Sequence, residues 1–262
     1  MFELIKNKDI KYFKITEFET YGIKAIFSTK ISGFSNYSKN SLNLGLNTND
    51  SFKNVEKNFY KFFNYNNIDI KNVVPADQVH KDNIAIINSY HKTSNFLFNK
   101  NKKNTDAIIT NEKDIVLISF YADCVPLYFC DKKNKIIGLA HSGWKGTILE
   151  IGRKVIEKMN YAYNSNPKDI LVGIGPSIGP NNFEVSLDVA IKFKKYKTVK
   201  KIKNKYFVDL WLTNYIILQN AGILKNNIIM SNLDTYENKE LFFSYRRDKG
   251  NTGRMISCIY FD

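Results

Sequence analysis

Between Ile115 and Cys130 the chain is apolar at almost every position, and Asp123 and Pro126 break the run. At 16 residues the run falls short of the ~20 that a membrane-spanning helix needs, and a central proline and carboxylate suit no such helix. It reads as one or two strands buried on both faces. Around it, strand-like runs at 21–29, 73–79, 84–89, 106–110, 115–121, 126–130 and 135–140 alternate with helical spacing at 52–64 and 147–160. A further strand ends in GIGPSIGP (173–180), a helix follows near 186–196, and Asp209 caps another through Asn220 with Gly222 as its stop. Strands near 226–231 and 253–261 close the chain, and the lysine-rich segment 91–105 reads as a mobile loop. Interleaved strands and helices of this kind predict the α/β class. No linker-like stretch divides residues 1–262, so one domain is expected.

The formal charge of +14 does not by itself mark a nucleic-acid binder. Lysines are scattered over nearly every predicted element, only Arg153, Arg246, Arg247 and Arg254 are arginine, and no nucleic-acid motif is present. A basic surface still steers phosphorylated or acidic small molecules inward. Three cysteines without framework spacing fit a reducing, cytoplasmic setting, and the amino terminus does not read as a signal peptide. Oligomeric state cannot be read from these features.

Two of the three histidines and one cysteine lie in dense turn motifs: His80 in DQVH, Cys124 in ADCVP and His141 in AHSGWKGT. Each ends or interrupts a separate apolar run, so strand ends could bring them to one sheet edge. Imidazole and thiolate are the donors zinc prefers, and three of them leave a fourth position open, as in catalytic sites. The same residue types also fit a metal-free Cys–His nucleophile pair, or polar residues with a structural role. His91, in the lysine-rich loop, reads as exposed. Asp106 and Asp123 border apolar strands and suit either a histidine-orienting carboxylate, a general base or a strand-end cap. The loops SGWKGT and GIGPSIGP read as tight turns or anion cradles. FFSYRRDKGNTGR (242–254) gathers three of the four arginines, a choice that favours two-pronged binding of phosphate or carboxylate, or a structural ion pair.

Taken in order, FSTKISGFS (27–35), SLNLG (41–45), QVH (78–80), TDAIIT (105–110), ADCVP (122–126), AHSGWKGT (140–147), GPSIGP…FEV (175–185) and FFSYRRD…TGR (242–254) resemble the YfiH-type multicopper polyphenol oxidase (laccase) family, also described as purine nucleoside phosphorylases. The resemblance implies a four-layer α/β/β/α sandwich with mixed sheets, and metal ligands at His80, Cys124 and His141. It implies phosphorolysis of purine nucleosides, including methylthioadenosine, together with adenosine deamination. It equally implies an alternative, an amidase that removes L-serine from UDP-N-acetylmuramyl-serine as a peptidoglycan editing factor. A third possibility is a zinc-stabilised anion-binding module without catalysis. On the resemblance, Zn²⁺ is the expected cofactor, and copper second. Three histidines are too few for a cluster of several coppers. Asp106 or Asp123 is expected to move protons. Lys30, Asn43 of the SLNLG loop, Arg246 and Arg247 are expected to hold phosphate or substrate. The family often has arginine where this chain has Lys30 and Asp77, and a glycine where it has Lys81. It often has cysteines where this chain has Asn181 and Asn182, and a Cys-Thr pair where it has Asp234-Thr235.

Overall fold

In the computed structural model, residues 1–36, 41–93, 97 and 104–262 are described. The elements run β1 (Phe2–Asn7), β2 (Ile10–Ile15), α1 (Thr16–Glu19), β3 (Ile23–Ser28), β4 (Ile31–Ser35), α2 (Phe52–Tyr65), β5 (Val73–Pro75), β6 (Ile84–Ile86), β7 (Ala107–Thr110), β8 (Val116–Tyr121) and β9 (Val125–Asp131). They continue through β10 (Ile136–Ser142), α3 (Trp144–Ile148), α4 (Ile151–Tyr163), β11 (Ile170–Ile174), β12 (Glu184–Val185), α5 (Leu187–Phe193), β13 (Val199–Ile202), β14 (Lys205–Val208), α6 (Leu210–Asn220), β15 (Ile228–Met230) and β16 (Met255–Phe261).

Two six-stranded sheets dominate, ordered β1-β2-β3-β16-β8-β5 and β15-β11-β9-β10-β7-β6, and a small third sheet is ordered β12-β14-β13. Both large sheets are mixed: β5–β8, β6–β7 and β11–β15 are parallel, and the other pairs antiparallel. Alternation along the strands explains the layering. In β9, Val125, Leu127 and Phe129 point to the face covered by Ile151, Val155 and Met159 of α4 and by Ile217 and Leu218 of α6. Tyr128 and Cys130 point the other way, onto Ile15, Ile23, Leu117 and Ile259 of the first sheet. That sheet's outer face takes Val55, Phe59, Phe62 and Phe63 of α2. The result is the expected order of helix, sheet, sheet, helix. A sheet buried on both sides accounts for the unbroken apolar runs.

Several expected elements differ in detail. The run 115–130 is two strands in different sheets, parted at Ala122–Cys124. The helix expected at 147–160 is two, α3 and α4, parted at Glu150, whose φ is +57°. Asp209 caps α6 by accepting from the Leu212 N–H at 2.8 Å, and Gly222 follows with φ +94°. Strands β1, β2, β4, β12, β13 and β14 are not expected from the sequence; β1, β2, β13 and β14 mix lysine with apolar residues, β12 is two residues long, and β4 lies in a stretch rich in glycine, serine and asparagine. Most of the expected mobile loop at 91–105 lies outside the described residues. Its first residue, His91, is half-buried rather than exposed, with Nδ1 2.6 Å from Asn88 Oδ1. No helix among the described residues is long and apolar enough to cross a membrane.

Candidate metal centre and cavity

Two chain crossings between the large sheets build the site. The chain leaves the first sheet at β5 and enters the second at β6, and His80 sits on that crossing. It leaves the first sheet again at β8 and enters the second at β9, and Cys124 sits on that one. Because β5 and β8 are parallel neighbours, both crossings start from the same end of the sheet. Gln78 joins them: its Nε2 donates to Phe120 O and its Oε1 accepts from Phe120 N, both at 2.8 Å. His141 comes from β10, where the antiparallel register sets it opposite Pro126 and sets Ser142 opposite Val125. Cys124 therefore falls just beyond the paired end, against Gly143. A Cβ on Gly143 would stand 3.0 Å from Cys124 Sγ, so the glycine leaves room for the sulfur.

One nitrogen of His80, Cys124 Sγ and one nitrogen of His141 lie within 4.8 Å of one another, and the two imidazole rings meet edge to face with centroids 4.8 Å apart. Donors in a tetrahedral zinc shell stand about 3.3–3.6 Å apart, from bonds of about 2.0–2.3 Å. A small inward movement thus brings the trio to bonding distance, and His80 is its exposed member. The trio is the one such group among the described residues, and its two imidazoles and one thiolate suit a single borderline-soft ion. Burial opposes a charged thiolate at Cys124, but His141 and His80 outweigh it and draw the thiol down to about 6. Burial likewise opposes charge on His141, and Cys124 and Asp106 overcome it and raise the ring to about 9. Sulfur is thereby held in the form a metal requires.

Asp106 organises this floor. Fully buried, its carboxylate accepts from His141 Nδ1 at 2.8 Å and from the N–H groups of Val79, His80 and Lys81 at 3.2, 3.0 and 2.8 Å. Burial pushes its pKa up, but the His141 ring and the backbone donors hold it below the ordinary value. One side chain thus orients the His141 ring and pins the His80 loop, where His80 itself adopts φ +60°. Asp123 does a similar task across the cavity. At φ +86°, its carboxylate accepts from Thr235 Oγ1 at 2.7 Å, Ser244 Oγ at 3.0 Å and Arg246 N at 2.7 Å. Burial raises its pKa against those three donors. Four donors thus engage the Asp106 carboxylate and three engage that of Asp123, so each holds its neighbours in place.

A cavity of about 570 Å³ opens above the trio, within the size range of small-molecule sites. Phe120, Trp144, Phe183 and Tyr245 give it aromatic walls, and Arg246 and Arg254 give it positive charge. The other residues expected to bind phosphate lie elsewhere. The Arg247 guanidinium donates to Thr235 O, Tyr236 O and Phe242 O and pairs with Asp248, so it braces its own loop. Lys30 lines a separate cavity of about 250 Å³ beside Arg247, and its pKa is lowered by burial and by that guanidinium. Asn43 is fully buried, its Oδ1 accepting from Gly45 N and Arg254 N and its Nδ2 donating to Thr48 and Asp50. Arg254 was the missed wall residue; its presence in the arginine-rich segment was the available signal. The asparagine and acid that replace family cysteines are also neighbours: Asn182 Nδ2 donates to Asp234 Oδ2 at 2.6 Å.

Residues 24–262 match the model of a family described as multi-copper polyphenol oxidoreductase laccase. The chain is 36% identical over 243 residues to purine nucleoside phosphorylase YlmD of Bacillus subtilis (strain 168), across 89% of this chain and 86% of that protein. It is 34% identical to purine nucleoside phosphorylase SSP1584 of Staphylococcus saprophyticus, across 97% and 99%. The crystal structure of a hypothetical protein YfiH from Bacillus licheniformis superposes with a TM-score of 0.92 at 34% identity, covering 99% of both chains. That of YlmD from Geobacillus stearothermophilus superposes with 0.91 at 28% identity, covering 100% and 99%.

Proposed function

Because the chain belongs to the multi-copper polyphenol oxidoreductase laccase family, in which its relatives carry the name purine nucleoside phosphorylase, we propose that it is a zinc-dependent purine nucleoside phosphorylase that also deaminates adenosine and cleaves methylthioadenosine. The observation that carries this reading is a single cavity with an imidazole–thiolate–imidazole floor, aromatic walls and guanidinium groups. A zinc ion held by His80, Cys124 and His141 would supply Lewis acidity at that floor.

The chain's own residues account for the rest. The flat faces of Phe120, Trp144, Phe183 and Tyr245 offer apolar surface to a purine. Arg246, exposed at the cavity and stacked over Phe183 at 5.3 Å, offers charge-assisted bonds to phosphate. Phosphorolysis then needs one phosphate oxygen to bond to C1′ while the C1′–N9 pair leaves with the purine, which takes up a proton. Holding both reactants in one enclosed space makes that encounter effectively unimolecular. For deamination, water replaces ammonia at C6 of the same bound base, and no phosphate is required.

The test is a substrate panel on one metal-quantified sample. Adenosine with phosphate should yield adenine and ribose 1-phosphate, with inosine and hypoxanthine from the deamination branch, separated by chromatography. Zinc-loaded protein that turns over no nucleoside sinks the reading. If UDP-N-acetylmuramyl-serine alone is consumed, the site belongs to amide hydrolysis.

A further inference from the structure

Arg246 and Arg254 approach the cavity from the same segment, and each is anchored in the same way. Asp123, buried and one residue from Cys124, accepts the Arg246 N–H at 2.7 Å. Asn43, fully buried on the opposite side, accepts the Arg254 N–H through Oδ1 at 2.9 Å. The same Asn43 oxygen accepts Gly45 N at 2.9 Å, and its Nδ2 donates to Thr48 Oγ1 and Asp50 Oδ2, each at 2.9 Å. Gly45 shares the cavity wall and lies directly on the arginine stem: a Cβ there would stand 2.6 Å from Arg254 Cγ and 3.0 Å from its Cβ. Nothing larger than glycine fits without displacing Arg254. At its far end the Arg254 guanidinium lies over the Tyr245 ring at 5.7 Å, and Tyr245 is the residue next to Arg246. Arg254 Nη1 also donates to Thr252 O at 3.0 Å and Gly253 O at 2.9 Å, which limits its swing.

We propose that Arg254 is the second arm of a two-arginine grip on inorganic phosphate inside the cavity, and that Asn43 and Gly45 are positioning residues that hold that arm in place. The inference rests on the phosphorylase reading for its place in turnover, but phosphate binding itself can be measured without turnover. Two guanidinium groups on one enclosed wall suit a dianion with several acceptor oxygens. Stacking on Phe183 and on Tyr245 limits how far the Arg246 and Arg254 guanidinium planes can turn. The buried anchors remove the loop motion that would otherwise weaken the grip. Arg247, although adjacent in sequence, takes no part because it lines the separate, smaller cavity beside Lys30 and not this one.

Inorganic phosphate is titrated calorimetrically into the intact zinc-loaded protein, and into Arg254→Gln, Arg254→Lys, Gly45→Ala and Arg153→Gln. Arg153 sits on α4 among Glu150 and Glu157 and controls for lost charge alone. The expected result is phosphate affinity at least about tenfold weaker for Arg254→Gln, from a lost charge-assisted bond. Arg254→Lys should fall between, Gly45→Ala should weaken phosphate without a change of net charge, and Arg153→Gln should match the wild type. In turnover, the KM for phosphate should rise while zinc content stays that of the wild type. Unchanged phosphate affinity in Arg254→Gln, or no phosphate binding by the wild type, overturns the inference. Loss of binding in a protein that turns over no nucleoside keeps the inference and sinks the phosphorylase reading. If Gly45→Ala fails to fold, Arg254→Lys against Arg254→Gln still decides.

Discussion

The floor and the wall of the cavity are held by different means. The floor is carried by strand ends: His141 belongs to β10, Cys124 follows directly from the β9 register, and His80 is tied to both through Asp106. The arginine wall has no regular structure beneath it. Residues 242–254 form turns between β15 and β16, and their shape depends on side chains: Asp123 on Arg246, Asp248 on Arg247 and Thr252, Asn43 on Arg254. A strand end inherits its position from a whole sheet, whereas a turn keeps its position only as long as individual hydrogen bonds hold. The floor should therefore tolerate changes in the surrounding loops, and the wall should respond to single deletions.

The largest expected effect is on the floor itself. Cys124→Ala should remove most bound metal and abolish turnover, as measured by metal analysis and by product formation, because two imidazoles alone leave an incomplete donor set. Chelation of the wild type should give the same loss of turnover with the far-ultraviolet circular dichroism intact, since both sheets are held by backbone pairing and by the apolar layers between them. Unfolding on chelation would mean that the ion, and not the strand register, holds the floor. Next comes Asp106→Asn. It retains the shape but loses the charge facing His141 and three backbone N–H groups, so zinc affinity should drop by roughly 10–100-fold in a competition titration. Unchanged affinity would leave Asp106 as a structural tie only.

The two arginines adjacent in sequence separate site from scaffold. Arg246→Gln should raise the phosphate KM about tenfold with a normal urea midpoint. Arg247→Ala should do the reverse, losing roughly 2–3 kcal/mol of stability because three carbonyls and Asp248 lose their donor. Equal effects of both variants on KM would erase the distinction between bracing and binding.

That pair also shows where sequence reading runs out. The metal trio was legible because imidazole and thiolate are scarce in this chain and each interrupts an apolar run whose strand character is strong. The layers were legible for the same reason: β8, β9 and β10 are apolar on both faces. In Arg246 and Arg247 the residue type was informative and the direction was not, because a turn without periodicity does not tell which neighbour points inward. Asn43 is expected to hold substrate on the resemblance of the SLNLG loop, yet its amide oxygen accepts from the backbone of a segment more than 200 residues away. Such long-range ties leave no local trace. The convergence of His80 with Cys124 also depended on the parallel pairing of β5 with β8, which no spacing in the chain announces.

The smallest expected effect comes from the tightest fit. Gly143 has φ −66° and ψ 176°, which an alanine adopts without backbone strain, so Gly143→Ala is a purely steric probe. Its Cβ would meet Cys124 Sγ at 3.0 Å, and something must give by a few tenths of an ångström. If the strand register holds Cys124 as firmly as the pairing implies, the sulfur cannot withdraw. Zinc should then bind a few-fold more weakly, while global stability changes by less than about 1 kcal/mol, in keeping with a small local overpacking. Metal affinity equal to that of the wild type would show that the β8–β9 crossing yields readily, and the floor would then be no stiffer than the wall.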